Sequence, residues 1–122
     1  MLSIIRAILI ADSTLTDLVG SKIYPTTIPQ ESQTPLLLME QVNRDPKDTK
    51  ELPGKVYETD VQITAFTDSY DVGTTIMERV KTLLDDYTAI GVDQVRFTGE
   101  VNAWDAGKHA FTKTYEFKAL QQ

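Results

Sequence analysis

Val95-Arg96-Phe97-Thr98-Gly99-Glu100-Val101-Asn102-Ala103 alternates apolar or small residues with polar ones, without a break. A period of two is the signature of a strand with one buried face. The pattern predicts Val95, Phe97, Gly99, Val101 and Ala103 pointing inward, and Arg96, Thr98, Glu100 and Asn102 pointing out. Asp105-Ala106-Gly107-Lys108 reads as a turn. A second alternating run follows, with Phe111, Tyr115, Phe117 and Ala119 on one face and Thr112, Thr114, Glu116 and Lys118 on the other. Such alternation belongs to an antiparallel sheet covered on one side only.

Working back from this hairpin, Gly73, Ile76, Met77, Val80, Leu83, Leu84 and Tyr87 recur in steps of three and four. They predict an amphipathic helix from about Tyr70 to Tyr87, with N-caps on offer at Thr67, Asp68 and Ser69. Gly73 weakens a helix, and close packing onto the sheet would be its return. Before the helix, Val56–Phe66 reads as a strand, with Val61, Ile63 and Ala65 on one side and Asp60, Gln62 and Thr64 on the other. Leu36–Val42 reads as a short strand whose Leu36-Leu37-Leu38-Met39 run suggests burial on both faces. Residues 43–56 mix charge, proline and glycine without period, so the expectation is a mobile loop, functional by its length.

The chain opens on Leu2–Ala11, apolar nearly all round and interrupted by Ser3 and Arg6. Ten residues are too few for a membrane span, which needs about 20. It is expected to be a helix of the mature protein, made in a cytoplasm. Its apolar character suggests cover from more than one side, either within a core or from a neighbouring subunit. Thr14-x-x-Asp17 resembles a capping box for a short helix over Leu15–Val19, and Gly20 suits the left-handed place after it. Lys22–Tyr24 is extended, and Pro25, Pro29 and Pro35 keep the next stretch from being helical. The expected order is α-β-β-α-β-β: an α+β fold, with an antiparallel or mixed sheet of about four strands and helices on one face, in a single domain over 1–122.

Composition narrows the function. The chain has 122 residues, no cysteine, one histidine and a net charge of −6. No disulfide or cysteine-ligated metal is possible, and a nonspecific grip on nucleic acid would need a basic face. His109 is more readily a turn-side histidine than a metal ligand, having no matched partner. No nucleophile elbow or phosphate-binding loop occurs. Asp85 and Asp86 diverge around a helix end and make a poor acid–base pair. Glu58 and Asp60 share a strand face, which reads either as a hard-cation pair or, better, as a solvated face. Trp104 beside the turn is either an interface anchor or a cap on the core. Read from its residues alone, the chain is an acidic α+β domain for binding or structure, with no catalytic, cofactor or metal residues.

The order of residues carries more. Ile8-Leu9-Ile10-Ala11-Asp12-Ser13-Thr14-Leu15-Thr16-Asp17-Leu18-Val19-Gly20-Ser21-Lys22-Ile23-Tyr24-Pro25 resembles the opening of the tail-completion (tail-terminator) proteins of long-tailed bacteriophages. In that family an Ala-Asp helix end leads through Leu-x-x-Leu-Val-Gly to Ile-Tyr-Pro. Pro29-Gln30 and Pro35-Leu36-Leu37-Leu38 follow in the same order. Val61-Gln62-Ile63-Thr64-Ala65-Phe66 resembles the family's central strand, and the segment with Val80-Lys81-Thr82-Leu83-Leu84-Asp85 its next helix.

The resemblance implies a homo-oligomeric ring, usually of six copies. The ring would stack on the last ring of tail tube protein, end tube growth and present a surface to the head connector protein. DNA would only pass through its lumen. No cofactor, active site or membrane contact is implied, and the location is the virion tail or neck, after assembly in the host cytoplasm. Candidate subunit or tube contacts are Leu2, Ile5, Arg44, Lys47, Lys50 and Trp104. Candidate acidic lumen residues are Glu58, Asp60 and Glu100. The competing readings are a head-completion protein of the same neck, or a small non-phage binding domain or enzyme of similar fold.

Overall fold

The computed structural model describes residues 2–30, 32–47, 56–88, 92–107 and 109–121. Three helices and five strands follow in the order α1 (Leu2–Ile10), α2 (Ser13–Val19), β1 (Ile23–Pro25), β2 (Leu36–Lys47), β3 (Val56–Thr67), α3 (Tyr70–Leu84), β4 (Val92–Asp105) and β5 (Ala110–Gln121). The α+β class holds, but the sheet has five strands, in the order β1-β2-β3-β5-β4. The extra strand is β1, which pairs parallel to β2 through Ile23↔Leu37 to Pro25↔Met39. Three residues are too few to show a period of two. The remaining pairs are antiparallel, so the sheet is mixed.

Helices cover one face. Ile5 and Leu9 of α1, Leu15 and Val19 of α2, and Ile76, Met77, Val80 and Leu84 of α3 are buried against Leu37, Met39, Val61, Ile63, Ala65, Tyr115, Phe117 and Ala119. Burying side chains of this size contributes about 1.5–3 kcal/mol each. Arg6, the charge inside the apolar α1, donates from Nε to the Ile23 carbonyl at 3.0 Å, so its head is used on β1. A smaller cluster lies on the other face, where Leu36, Phe66 and Ala110 are buried with Tyr24, Ile28 and Leu38 packed against them. The Leu36–Met39 run is therefore buried on both faces, as its composition suggests.

The caps differ from expectation at one end. Asp12, not Thr14, is the N-cap of α2: its carboxylate accepts from Leu15 N–H at 2.9 Å. The same carboxylate holds Arg79 of α3 in a two-pronged contact of 2.9 and 2.6 Å, which joins α2 to α3. That second partner favours Asp12 over a residue that could only cap. Gly20 ends α2 with φ 63°, a place that suits glycine. Ser69 is the N-cap of α3. The helix stops at Leu84 rather than Tyr87. Asp85 and Asp86 sit badly at a helix C-terminus, where the dipole opposes carboxylates, and Asp86 turns to φ 61°. Tyr87 still packs against the core from outside the helix.

The expected loop over 43–56 is shorter than its composition implies. Residues 43–47 belong to β2 and Val56 to β3, paired from Asn43↔Asp60 to Lys47↔Val56. The exposed end of β2 need not alternate, so periodicity could not find it. Residues 48–55, Lys50 included, lie outside the described residues, and so does the expectation of mobility made for them.

The alternation in β4 also breaks. Val95 and Phe97 lie opposite Ala119 and Phe117 as expected, but the register slips between Phe97 and Gly99. After this bulge Glu100, Asn102 and Trp104 pair with Tyr115, Lys113 and Phe111, on the helix side. Val101 and Ala103 face the other way, opposite Thr114 and Thr112. The predicted inward Gly99–Val101–Ala103 series is thus reversed, because one extra residue flips every later side chain.

Two outcomes test this packing. A Cβ at Gly73 would stand 3.0 Å from Thr67 Oγ1, which is buried and bonded to the Ser69 carbonyl at 2.7 Å. Gly73→Ala should therefore destabilise by about 1 kcal/mol in urea unfolding, against the similar gain alanine brings to an open helix site. The second concerns Asp12, whose carboxyl is held below its usual range first by the hydrogen bond from Arg79. A lowered folded value gives stability present above the unfolded value near 3.9 and lost as pH falls through the folded one. The urea midpoints of wild type and Asp12→Asn should differ at pH 7, and that gap should close as the pH falls below the unfolded value and through the lower folded one.

Candidate functional site

The helix layer does not reach the far end of the β4–β5 hairpin. There Trp104 is 53% exposed and Phe111 38% exposed, packed edge to face with ring centroids 5.0 Å apart. The pair sits at the last rungs before the turn, Trp104↔Phe111 and Asp105↔Ala110. Tyr70, at the start of α3, is also exposed on this side. Of the two readings left open for Trp104, a core cap does not fit such exposure. Exposed aromatics of this size are what interface anchors are made of.

Beneath this pair lies a buried cation. Lys113 shares the inward face of β5, a place its alternation assigns and apolar bookkeeping passes over. It is 6% exposed. Its Nζ donates to Glu100 Oε2 at 2.9 Å and lies 4.8 Å from the centroid of Tyr70 and 5.9 Å from that of Tyr115. Burial is the strongest single influence on Lys113 and opposes its charge, but the hydrogen bonds and charges of Glu100 and Tyr70 together exceed it, and the ammonium titrates above the ordinary lysine value. The same bond holds Glu100 below the usual carboxylate range. Glu100 is therefore a partner for Lys113 on the helix side. It does not share the open face with Glu58 and Asp60, as the sequence pattern suggested.

The open face of the sheet is polar. Glu40, Asp45, Glu58, Asp60 and Glu116 stand there with Arg96 and Lys118, as their register requires. Lys118 Nζ meets Glu58 at 2.9 Å and Asp60 at 3.9 Å. The Glu58 hydrogen bond and the two nearby carboxylates raise the Lys118 ammonium above its ordinary value. Two shallow, open depressions cross this face, sharing Thr98 and Lys118 between them. Glu58 and Asp60 thus converge on a lysine, which a cation-binding pair would not. Among the described residues no three His, Cys, Asp or Glu side chains group as metal ligands.

The other candidates fall in different places. Ile5 is 1% exposed, so its surface is already covered within the chain and offers nothing to a neighbour. Leu2 is half-buried beside it. Arg44 is exposed on β2 and stacks over the Tyr57 ring at 4.0 Å. Lys47 ends β2. His109 is an exposed turn residue with φ 49°. No helix among the described residues is long and apolar enough to cross a membrane.

The cluster at the hairpin end gives a sharp expectation. Glu100→Ala leaves a buried ammonium without its carboxylate and should lower the thermal midpoint. Lys113→Met together with Glu100→Ala removes both charges and should recover most of the loss. Leaving one buried partner unpaired costs more than replacing both.

The family model of tail completion protein gp17 matches residues 4–121. No curated protein matches significantly. Among solved structures, a chain of the virion of the native gene transfer agent (GTA) particle superposes with a TM-score of 0.74. It is 18% identical, with 96% of this chain and 90% of that chain covered. At that identity the superposition shows a shared fold. The family match spans nearly the whole sequence, and the chain therefore belongs to the tail completion protein gp17 family, structural proteins of the bacteriophage virion located at its tail.

Proposed function

We propose that this protein forms a ring on the head-proximal end of the phage tail tube, ends tube growth there, and joins the tail to the head connector. The match of residues 4–121 to the tail completion family carries this reading. The geometry supports it in two ways. The exposed Trp104–Phe111 pair gives a contact surface at one end of the sheet. Arg44 and the end of β2 lie at the opposite end, so the subunit has contact groups toward both directions of a stack. The open face, where carboxylates outnumber cations, suits a lumen that lets DNA slide without holding its phosphates. Glu58 and Asp60 are the lumen residues in this reading. Trp104, Arg44, Lys47 and Leu2 remain the contact candidates toward neighbouring subunits, tube or connector.

The test is tail morphology in lysates. Without the protein, tubes should vary in length and run beyond the normal limit, and heads should stay unjoined. Trp104→Ala should fold with a loss of no more than about 1 kcal/mol, since it forfeits one exposed ring contact. It should nonetheless lower the yield of joined particles by roughly tenfold or more, as loss of an interface anchor does. Tails of normal length joined to heads in the absence of the protein would refute the reading.

A further inference from the structure

The sheet has two outer edges, and each is covered along part of its length only. On β2, β1 and the bond from Thr26 N–H to the Met39 carbonyl cover the edge through Met39. On β4, the chain after α3 covers the edge through Phe97. Asp86 N–H donates to the Val95 carbonyl, Val95 N–H to the Tyr87 carbonyl, and Phe97 N–H to Asp85 Oδ1. Beyond these points, Glu40–Asp45 and Gly99–Asp105 end the sheet, with no further strand paired to them among the described residues. The bulge fixes which groups look outward on β4. Gly99, Val101 and Ala103 take the ladder places opposite Glu116, Thr114 and Thr112. The N–H and C=O groups of Glu100, Asn102 and Trp104 therefore point away from β5.

We propose that these two edges pair with each other between copies of this chain, the β4 edge over Gly99–Asp105 adding to the β2 edge over Glu40–Asp45 of the next copy. The proposal rests on the ring reading and gives its interface. Three observations select a second copy as the partner. First, β2 and β4 run in opposite directions, because three antiparallel pairings separate them. The junction is then antiparallel and head-to-tail, the kind that closes into a ring.

Second, the open segments are staggered by the amount closure needs. The middle of the β2 segment, Asn43, is level with Asp60 and Lys118, and the middle of the β4 segment, Asn102, is level with Lys113. Five residues along β5 amount to about 17 Å, and the three spacings from β2 to β4 together with the junction spacing amount to about 19 Å. Joining such edges around a ring tilts the strands by about 40°, within the range of roughly 35–45° that closed barrels adopt. The sense of the stagger matters too. β3–α3–β4 is a crossover between parallel strands, right-handed in nearly all proteins. With that hand, and the lean that right-handed strand twist imposes on a barrel, the helices lie outside and the polar face lines the lumen.

Third, the edges match in character. Arg44 stands on one and Glu100 on the other, and each carries an exposed apolar side chain, Val42 and Trp104. Main-chain pairing supplies attraction and these groups supply register.

The chain has no cysteine, so introduced pairs report without background. Val42→Cys with Asn102→Cys, oxidised under conditions where rings form, should give a ladder of linked chains on a non-reducing gel, while each single variant stays unlinked. Asn102→Pro removes an outward N–H together with the side-chain hydrogen bond to Glu100, and Asn102→Ala removes the side-chain bond alone; the two should share one thermal midpoint, with rings lost in the proline variant and kept in the alanine one. If rings form and the double-cysteine protein shows no ladder, the edge proposal is overturned and the ring reading stands. Dimers from either single variant would also overturn it, because they report a like-to-like contact. If purified tails carry no ring of the wild-type chain, both fail together.

Discussion

Between Phe97 and Gly99, β4 carries one residue more than the facing stretch of β5 can pair. That residue turns Trp104 to the helix side, beside Phe111, and brings Glu100 within 2.9 Å of the buried Lys113. Without the slip, Trp104 would face the open side of the sheet and Lys113 would be a buried charge without its carboxylate, a costly arrangement. The bulge also sets which backbone groups of Glu100, Asn102 and Trp104 face outward. The aromatic surface, the buried ion pair and the open edge therefore share one cause, and any change restoring strict alternation would disturb all three.

The two faces of the sheet divide the labour of the molecule. The helix side supplies stability: α1 and α3 bury a continuous apolar layer, and Asp12 ties α2 to α3 through Arg79. The open side is charged and shallow, with its cations engaged by carboxylates where Lys118 meets Glu58. A face of this kind repels rather than holds a polyanion, while Val42, Val101, Trp104 and Phe111, exposed apolar groups, sit at the sheet's edges and ends. In the proposed reading, stability and assembly draw on different residues, so a candidate contact such as Trp104 can change without loss of the fold.

Much of this was legible in the sequence where burial imposes a period. α3 and β3, and the first half of the β4–β5 hairpin, each bury one face and announce it, and Gly73 marked the close approach of α3 to Thr67. What escaped was whatever lacks a period. β1 is three residues long. The distal end of β2, residues 43–47, mixes charge and proline without a period and read as loop. Asp12 was passed over as a cap because its reason for being there, Arg79, is 67 residues away. The bulge at Thr98 was invisible because Gly99, Val101 and Ala103 are small or apolar and continue the pattern past the point where it ceases to describe the fold. Ile5 looked available because a helix apolar all round does not say which side is covered. Glu58 and Asp60 were correctly placed on one strand face, but the lysine that joins them lies on another strand.

The account's central claim is that copies of this chain close into a ring with the sheet's polar face toward the lumen. Averaged electron cryo-microscopy of purified tails tests it most directly. The account predicts one ring of this fold at the head-proximal end, with α1 and α3 on the outside, Glu58 and Asp60 facing the channel, and continuous strand density crossing from subunit to subunit. A ring with its helices toward the channel, or this chain found at any other position in the particle, would contradict it.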